Sequence, residues 1–358
     1  MSHFLILCII ILLITILGEL ASDSIHSRVH RKCAFWSCII LFMIIGAFRD
    51  PSIGNDTEKY MYIYNEIQYD SSRYEIGFVL LNKFLYYISP NPRTLLVFSS
   101  IFIFYCYGRT IWKYSAYPWL SLYIIFSYTF FPFALSGIRE SLAIGIILLS
   151  FDYLIQKKNL QYLILVVFAT SLHTTAIIFA LGLLFRNTSL TKRNILIMFA
   201  CGGIAYIMFP RILSLAFSLL PYYAVYEGGE YFGETRLASM LDFAILFIIL
   251  IFAYTIWSHS KTYVTNQSGR DNNRLMIILV VIATIIMLVS FNFNLLSRIA
   301  LYFSFFASII LPNAISLLPV KKRSIITIAS VICFTIYSLT LLYYRPEWNQ
   351  IFPYKTYL

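Results

Sequence analysis

A few side chains in this chain carry chemistry that a bundle of apolar helices does not need. Arg139 stands in Ser136-Gly137-Ile138-Arg139-Glu140-Ser141, at the mouth of two long apolar runs. A guanidinium near membrane depth is costly unless it is paired. Arg139 therefore pairs with an acid such as Glu140, snorkels to the headgroups, or offers its fork to phosphate oxygens. His173, in Ser171-Leu172-His173-Thr174-Thr175, interrupts another apolar run. It reads either as a hydrogen-bonded packing residue or as a neutral imidazole at a wet cleft, suited to general base duty. Asp56 and Glu140 are the carboxylates best placed for the same duty, by analogy with those that act in glycosyl chemistry. Their plainer roles are a helix cap in Gly54-Asn55-Asp56-Thr57, with Glu58 in capping-box position after Asn55, and a surface ion pair.

Binding groups surround these four. Arg49 opens a polar, turn-rich stretch that runs into Tyr60, Tyr62 and Tyr64, and aromatic faces with polar neighbours suit a sugar as well as a headgroup layer. Arg211 and Arg236 bracket PYYAVYEGGEYFGETR, and Arg298 follows FNFNLLS at the start of an apolar run. Each contacts headgroups or grips a pyrophosphate or an acidic sugar. There is no DxD pair, no HExxH and no carboxylate cluster at helical spacing, so no metal ligands are assigned and no cofactor is expected. A leaving pyrophosphate would have to be stabilised by arginines such as Arg49, Arg139 and Arg298.

The elements that must position these groups are membrane helices. Hydrophobic residues make up 60% of the chain and charged residues only 12%, against about a quarter in a soluble domain. No polar interval approaches the roughly 50 residues of a small soluble domain. Apolar runs lie near 4–20, 33–48, 95–112, 118–133, 138–156, 160–185, 194–209, 238–257, 275–291, 296–318 and 325–343. The expected fold is all-α: one transmembrane domain over 1–358, with about 11–12 membrane helices and outer amphipathic helices. Residues 1–20 lack a basic leader and a small-residue cleavage site, and so read as a retained first span. The six cysteines sit in or beside apolar runs without ligand spacing, as small core residues do.

The net charge of +11 comes as short basic clusters between apolar runs, which fits positive-inside topology and not a nucleic-acid stripe. Placing all six clusters in the cytoplasm has two consequences. Segment 75–89, with Asn82 and Lys83 on one side, does not cross; it lies on or dips into the outer face. Segment 160–185 leaves and re-enters the same side, as a broken or re-entrant pair bent near His173. The outer segments are then 49–94 and 209–237. The cytoplasmic loops are short, with no nucleotide-binding motif, so a donor would arrive through the lipid.

The chain resembles the EpsG family of exopolysaccharide polymerases, which overlaps the Wzy-type polymerases of O antigens and capsules. The resemblance rests on Arg49 followed by Gly54-x-Asp56-Thr57-x-x-Tyr60, on Tyr74-Glu75-Ile76-Gly77-Phe78, on Ile138-Arg139 continuing into Ser141-Leu142-Ala143, on Lys157-Lys158, on His173-Thr174-Thr175-Ala176 and on Pro353-Tyr354. Glu140 stands where a glutamine is usual, and residues 50–53 widen the gap between Arg49 and Gly54. The resemblance implies a multi-pass protein of the bacterial cytoplasmic membrane. It would transfer a growing glycan from one undecaprenyl pyrophosphate to the next lipid-linked repeat, with membrane lipids and a chain-length regulator as partners. The residues leave two rivals open: a flippase for lipid-linked oligosaccharide, and an O-antigen ligase.

Overall fold

The computed structural model describes residues 25–219, 237–259, 267–344, 350–351 and 353–357. Its helices are α1 (Ile25–Ala47), α2 (Thr57–Glu66), α3 (Ile76–Ile88), α4 (Arg93–Tyr114), α5 (Pro118–Ser127), α6 (Phe130–Ser136), α7 (Ile138–Ile155) and α8 (Asn159–Leu172). A 3-10 helix (Thr174–Ala180) follows, then α9 (Leu181–Phe185), α10 (Lys192–Leu219), α11 (Leu237–His259), α12 (Gln267–Val289), α13 (Leu296–Ser304), α14 (Ala307–Ser316) and α15 (Val320–Tyr344). No strand occurs among the described residues, so the protein is all-α and polytopic.

Among the described residues six helices, α1, α4, α10, α11, α12 and α15, and the α13–α14 stretch Leu296–Ser316 are long and apolar enough to cross a membrane, and the α5–α6 pair, bent by 53°, makes an eighth if it is counted as one span. This is fewer than the 11–12 expected, for physical reasons. The first expected span, 4–20, lies outside the described residues. Helix α7 is 18 residues long but carries Arg139, Glu140 and Asp152. The run 160–185 is not one helix: α8 stops at Leu172, His173 is extended (φ −152°, ψ 115°), and a 3-10 helix begins at Thr174. The break expected near His173 therefore falls at that residue.

The described chain forms two compact units, one of residues 1–177 with 319–358 and one of 178–318. Lipid is as apolar as a phenylalanine ring, so helices in a membrane associate through close packing and hydrogen bonds. In the first unit the packing is aromatic. Phe131 meets Phe42 at 4.8 Å, Phe126 at 5.1 Å and Phe104 at 5.5 Å between ring centroids, which locks α1, α4, α5 and α6 together. Helix α15 joins through the Tyr123–Thr335 hydroxyl pair and Phe334 against Tyr128. In the second unit Arg274 of α12 donates to the carbonyls of Arg186 and Thr188, and Asn292 donates to the Tyr206 carbonyl, clamping α12 at both ends.

Within the first unit, charge separates along the helix axes. Asp152, near the end of α7, takes Arg109 at 2.6 Å and Lys113 at 2.8 Å from the end of α4. At the other end of α4, Arg93 lies over the ring of Tyr357, whose amide donates to Phe48. The segment joining α1 to α4 thus begins and ends at one place. Helix α3 has 13 residues, about 20 Å at 1.5 Å each, against about 30 Å of hydrocarbon. Its polar pattern departs from expectation. Asn82 is buried and donates to the Phe78 carbonyl, while Ile76, Leu80, Phe84 and Ile88 form an exposed apolar stripe beside Lys83.

Candidate active site

The site grows from the turn between α6 and α7. Gly137 ends α6 and caps α7, which puts Arg139 and Glu140 in the first turn of α7. A carboxylate suits that end of the helix dipole and a cation does not, so Arg139 needs an outside partner. The partner is Glu75, whose Oε2 lies 2.7 Å from Arg139 Nη1. Neighbouring residues on a helix point in different directions, which is why Glu140 does not serve. Glu75 sits at the N-cap of α3 but makes no capping bond there; its carboxylate turns inward instead.

The second oxygen of Glu75 has other partners. His173 Nδ1 lies 3.3 Å from Oε1, and the Thr174 amide donates to the same oxygen at 3.4 Å, where the 3-10 helix begins. Glu75 therefore bridges α7 and the break after α8. His173 Nε2 faces Glu140 Oε2 at 3.8 Å, so the imidazole lies between two carboxylates. Burial pushes the Glu75 carboxyl up, but His173 and the Arg139 guanidinium outweigh it and hold the group at about 2. The side chains of Arg139 and His173 remain 26% and 22% exposed, open enough to meet a ligand.

Aromatic rings line the cluster. The Arg139 guanidinium carbon is 5.7 Å from the Phe78 ring and 5.9 Å from Tyr74, within cation–π range. The Arg139 amide donates to the Tyr60 hydroxyl at 3.5 Å, and burial raises that hydroxyl's pKa despite Arg139. Asp56 caps α2 with its backbone but makes no side-chain cap bond. Its charge acts on the Tyr60 hydroxyl, raising its pKa slightly.

Close packing holds these elements in register. A Cβ on Gly77 of α3 would come within 2.2 Å of Ser171 Oγ and 2.7 Å of Ser171 O, two residues before His173. Only glycine lets α3 lie this close to α8. Gly54 has φ +83°, and a Cβ there would meet the Leu135 carbonyl at 2.6 Å, so the Arg49 loop can fold onto α6 only through glycine.

The model of the EpsG family matches residues 33–356 of this chain. The chain belongs to the EpsG family. Membership makes it a membrane protein of the polysaccharide-polymerase type. Searches of curated proteins and of solved structures found no match.

The remaining candidates in this EpsG-family protein are Arg49, Arg211, Arg236 and Arg298. Arg49 is fully buried: it donates to Thr57 Oγ1 at 3.2 Å, to the Gly46 carbonyl and to Ser100, which makes it part of the scaffold. Burial lowers its pKa to about 10, still charged at neutral pH. Arg211 and Arg298 are exposed on helices of the second unit, and Arg236 lies outside the described residues, as does most of segment 209–237. Of the predicted site, Arg139, His173, Glu140 and Tyr60 come together. Glu75 was missed, although it stands in the Tyr74-Glu75-Ile76-Gly77-Phe78 motif.

Proposed function

We propose that this protein is a glycan polymerase. It joins undecaprenyl-pyrophosphate-linked repeats at the outer leaflet of the bacterial cytoplasmic membrane, by metal-independent glycosyl transfer. The observation that carries the reading is the cluster of Arg139, Glu75, His173 and Glu140 at one end of a helix bundle in an EpsG-family chain. A guanidinium ringed by aromatics is suited to a pyrophosphate attached to a sugar. An imidazole beside the same carboxylate is suited to accept a proton from a sugar hydroxyl.

In this reading the acceptor hydroxyl oxygen attacks the anomeric carbon of the donor. Its proton passes to His173. The bond from that carbon to the phosphate oxygen breaks, and the electron pair stays on the pyrophosphate beside Arg139. Arg139 supplies the charge stabilisation that a cation supplies elsewhere.

The test is to mix purified protein with the lipid-linked repeat and resolve the products on a gel. Wild-type protein is expected to give a ladder that survives a chelator, and Arg139→Ala only single repeats. Normal chain lengths from Arg139→Ala would remove that residue from the site. A ladder lost on chelation and restored by a divalent ion would refute the metal-independent chemistry.

A further inference from the structure

We propose that Glu75 is a positioning residue that couples seating of the anionic leaving group at Arg139 to proton uptake at His173; the inference rests on the polymerase reading above. A carboxylate has two oxygens, and here each serves a different element. Oε2 holds Arg139 of α7, while Oε1 faces His173 and the Thr174 amide beyond the end of α8. With the site empty, the charges of Glu75 and Arg139 offset each other.

An arriving pyrophosphate changes that balance. Its oxygens compete with Oε2 for the Arg139 guanidinium and set new negative charge beside the carboxylate. Glu75 is then left short of positive charge, and the nearest group able to supply it is His173. Taking the hydroxyl proton turns the imidazole into an imidazolium between two carboxylates, so proton uptake becomes most favourable once the leaving group is in place. The base is thereby strengthened in the donor complex and not in the empty enzyme.

The other charged groups around His173 do not duplicate this link. Glu140 of α7 faces Nε2 at 3.8 Å, and Asp152 at the far end of α7 is held by Arg109 and Lys113. Tyr60 of α2 meets Arg139, not His173. Asp56, the N-cap of α2, acts by its charge on Tyr60. Glu75 has one oxygen on each partner.

The experiment uses full-length protein in nanodiscs with two probes. Undecaprenyl pyrophosphate alone reports binding, and the lipid-linked repeat that accumulates in a strain lacking this chain reports turnover. Glu75→Gln is expected to bind undecaprenyl pyrophosphate at least as tightly as wild type, because a competitor for Arg139 has gone. Its kcat should fall about tenfold or more, within the range of acid–base effects. The acid limb of its pH–rate profile should move to lower pH, because the imidazolium loses a counter-charge. Glu75→Asp keeps the charge and should recover part of kcat with the limb near its wild-type position. The coupling is overturned if Glu75→Gln binds the probe more weakly and keeps the wild-type pH profile, the pattern of a mere strut, or if its kcat is unchanged. A wild-type protein that makes no ladder sinks the polymerase reading instead, and the binding comparison still decides whether Glu75 competes for Arg139.

Discussion

His173 and Asp56 are both chemically acceptable bases, and geometry separates them. His173 touches the carboxylate that holds Arg139, whereas Asp56, the N-cap of α2, acts by its charge on Tyr60. His173→Ala is therefore expected to lower the initial rate of ladder formation by about a hundredfold. Asp56→Asn should stay within a few-fold of wild type, and the reverse order would assign the proton to Asp56. Glu75 carries a pH signature of its own. Its carboxyl is depressed from 4.5 to about 2, so its contribution to stability is complete above 4.5 and is lost as pH falls towards about 2. The melting-temperature advantage of wild type over Glu75→Gln should be constant from neutral pH to about 5 and shrink below that. A constant gap at pH 3 would mean that the carboxylate is not held by its neighbours. The residue types of the site were legible because charge and imidazole are conspicuous in apolar sequence. The pairing was not, since Glu75 lies 64 residues from Arg139 and its adjacency is made by the fold alone.

Apolar runs longer than a turn or two are unambiguous, and each described helix above the span threshold coincides with a run read from the sequence. Breaks inside runs were harder to place, because backbone geometry at Tyr128 or Phe305 leaves no mark in hydropathy. Only at His173 did a polar residue flag the break. The close contact between α3 and α8 was equally invisible, since a glycine in an apolar stretch announces neither its partner nor its purpose. Gly77→Ala tests that contact. The added methyl must displace Ser171, and overpacking of this kind costs about 1–3 kcal/mol. Thermal unfolding should register the loss, and polymer length should fall with it, as α3 carries Glu75 away from His173. Adding Ser171→Ala should not rescue the variant, because the Ser171 carbonyl obstructs as well as the hydroxyl. Full rescue would show that the hydroxyl alone sets the spacing.

At the scale of the molecule, the closing residues of the chain return to its first described helix. Asp50 donates its amide to the Lys355 carbonyl, Tyr357 to Phe48 and Gly54 to Gln350, while the Tyr354 hydroxyl donates to the Ile45 carbonyl. Arg49 and Thr356 pair as an antiparallel bridge within this strap. The strap covers a fully buried guanidinium whose Nε and Nη1 are engaged by Thr57, Gly46 and Ser100 while Nη2 has no partner, so loss of any of these bonds would leave a further donor unpaired away from water. Hydropathy gives no hint of this, since 350–357 is too short and too polar to read as an element; Pro353-Tyr354 was visible only through resemblance. The strap fixes loop 49–54, the loop leads into α2, and α2 places Tyr60 against Arg139, so a contact at the chain's end supports the site. Deleting residues 350–358 should therefore lower the melting temperature and shorten or abolish the ladder. Tyr354→Phe keeps the backbone bonds and loses one hydrogen bond, worth about 0.5–1.5 kcal/mol, and should retain the ladder. A truncated protein with wild-type melting and wild-type chain lengths would show that Arg49 holds the loop without the strap.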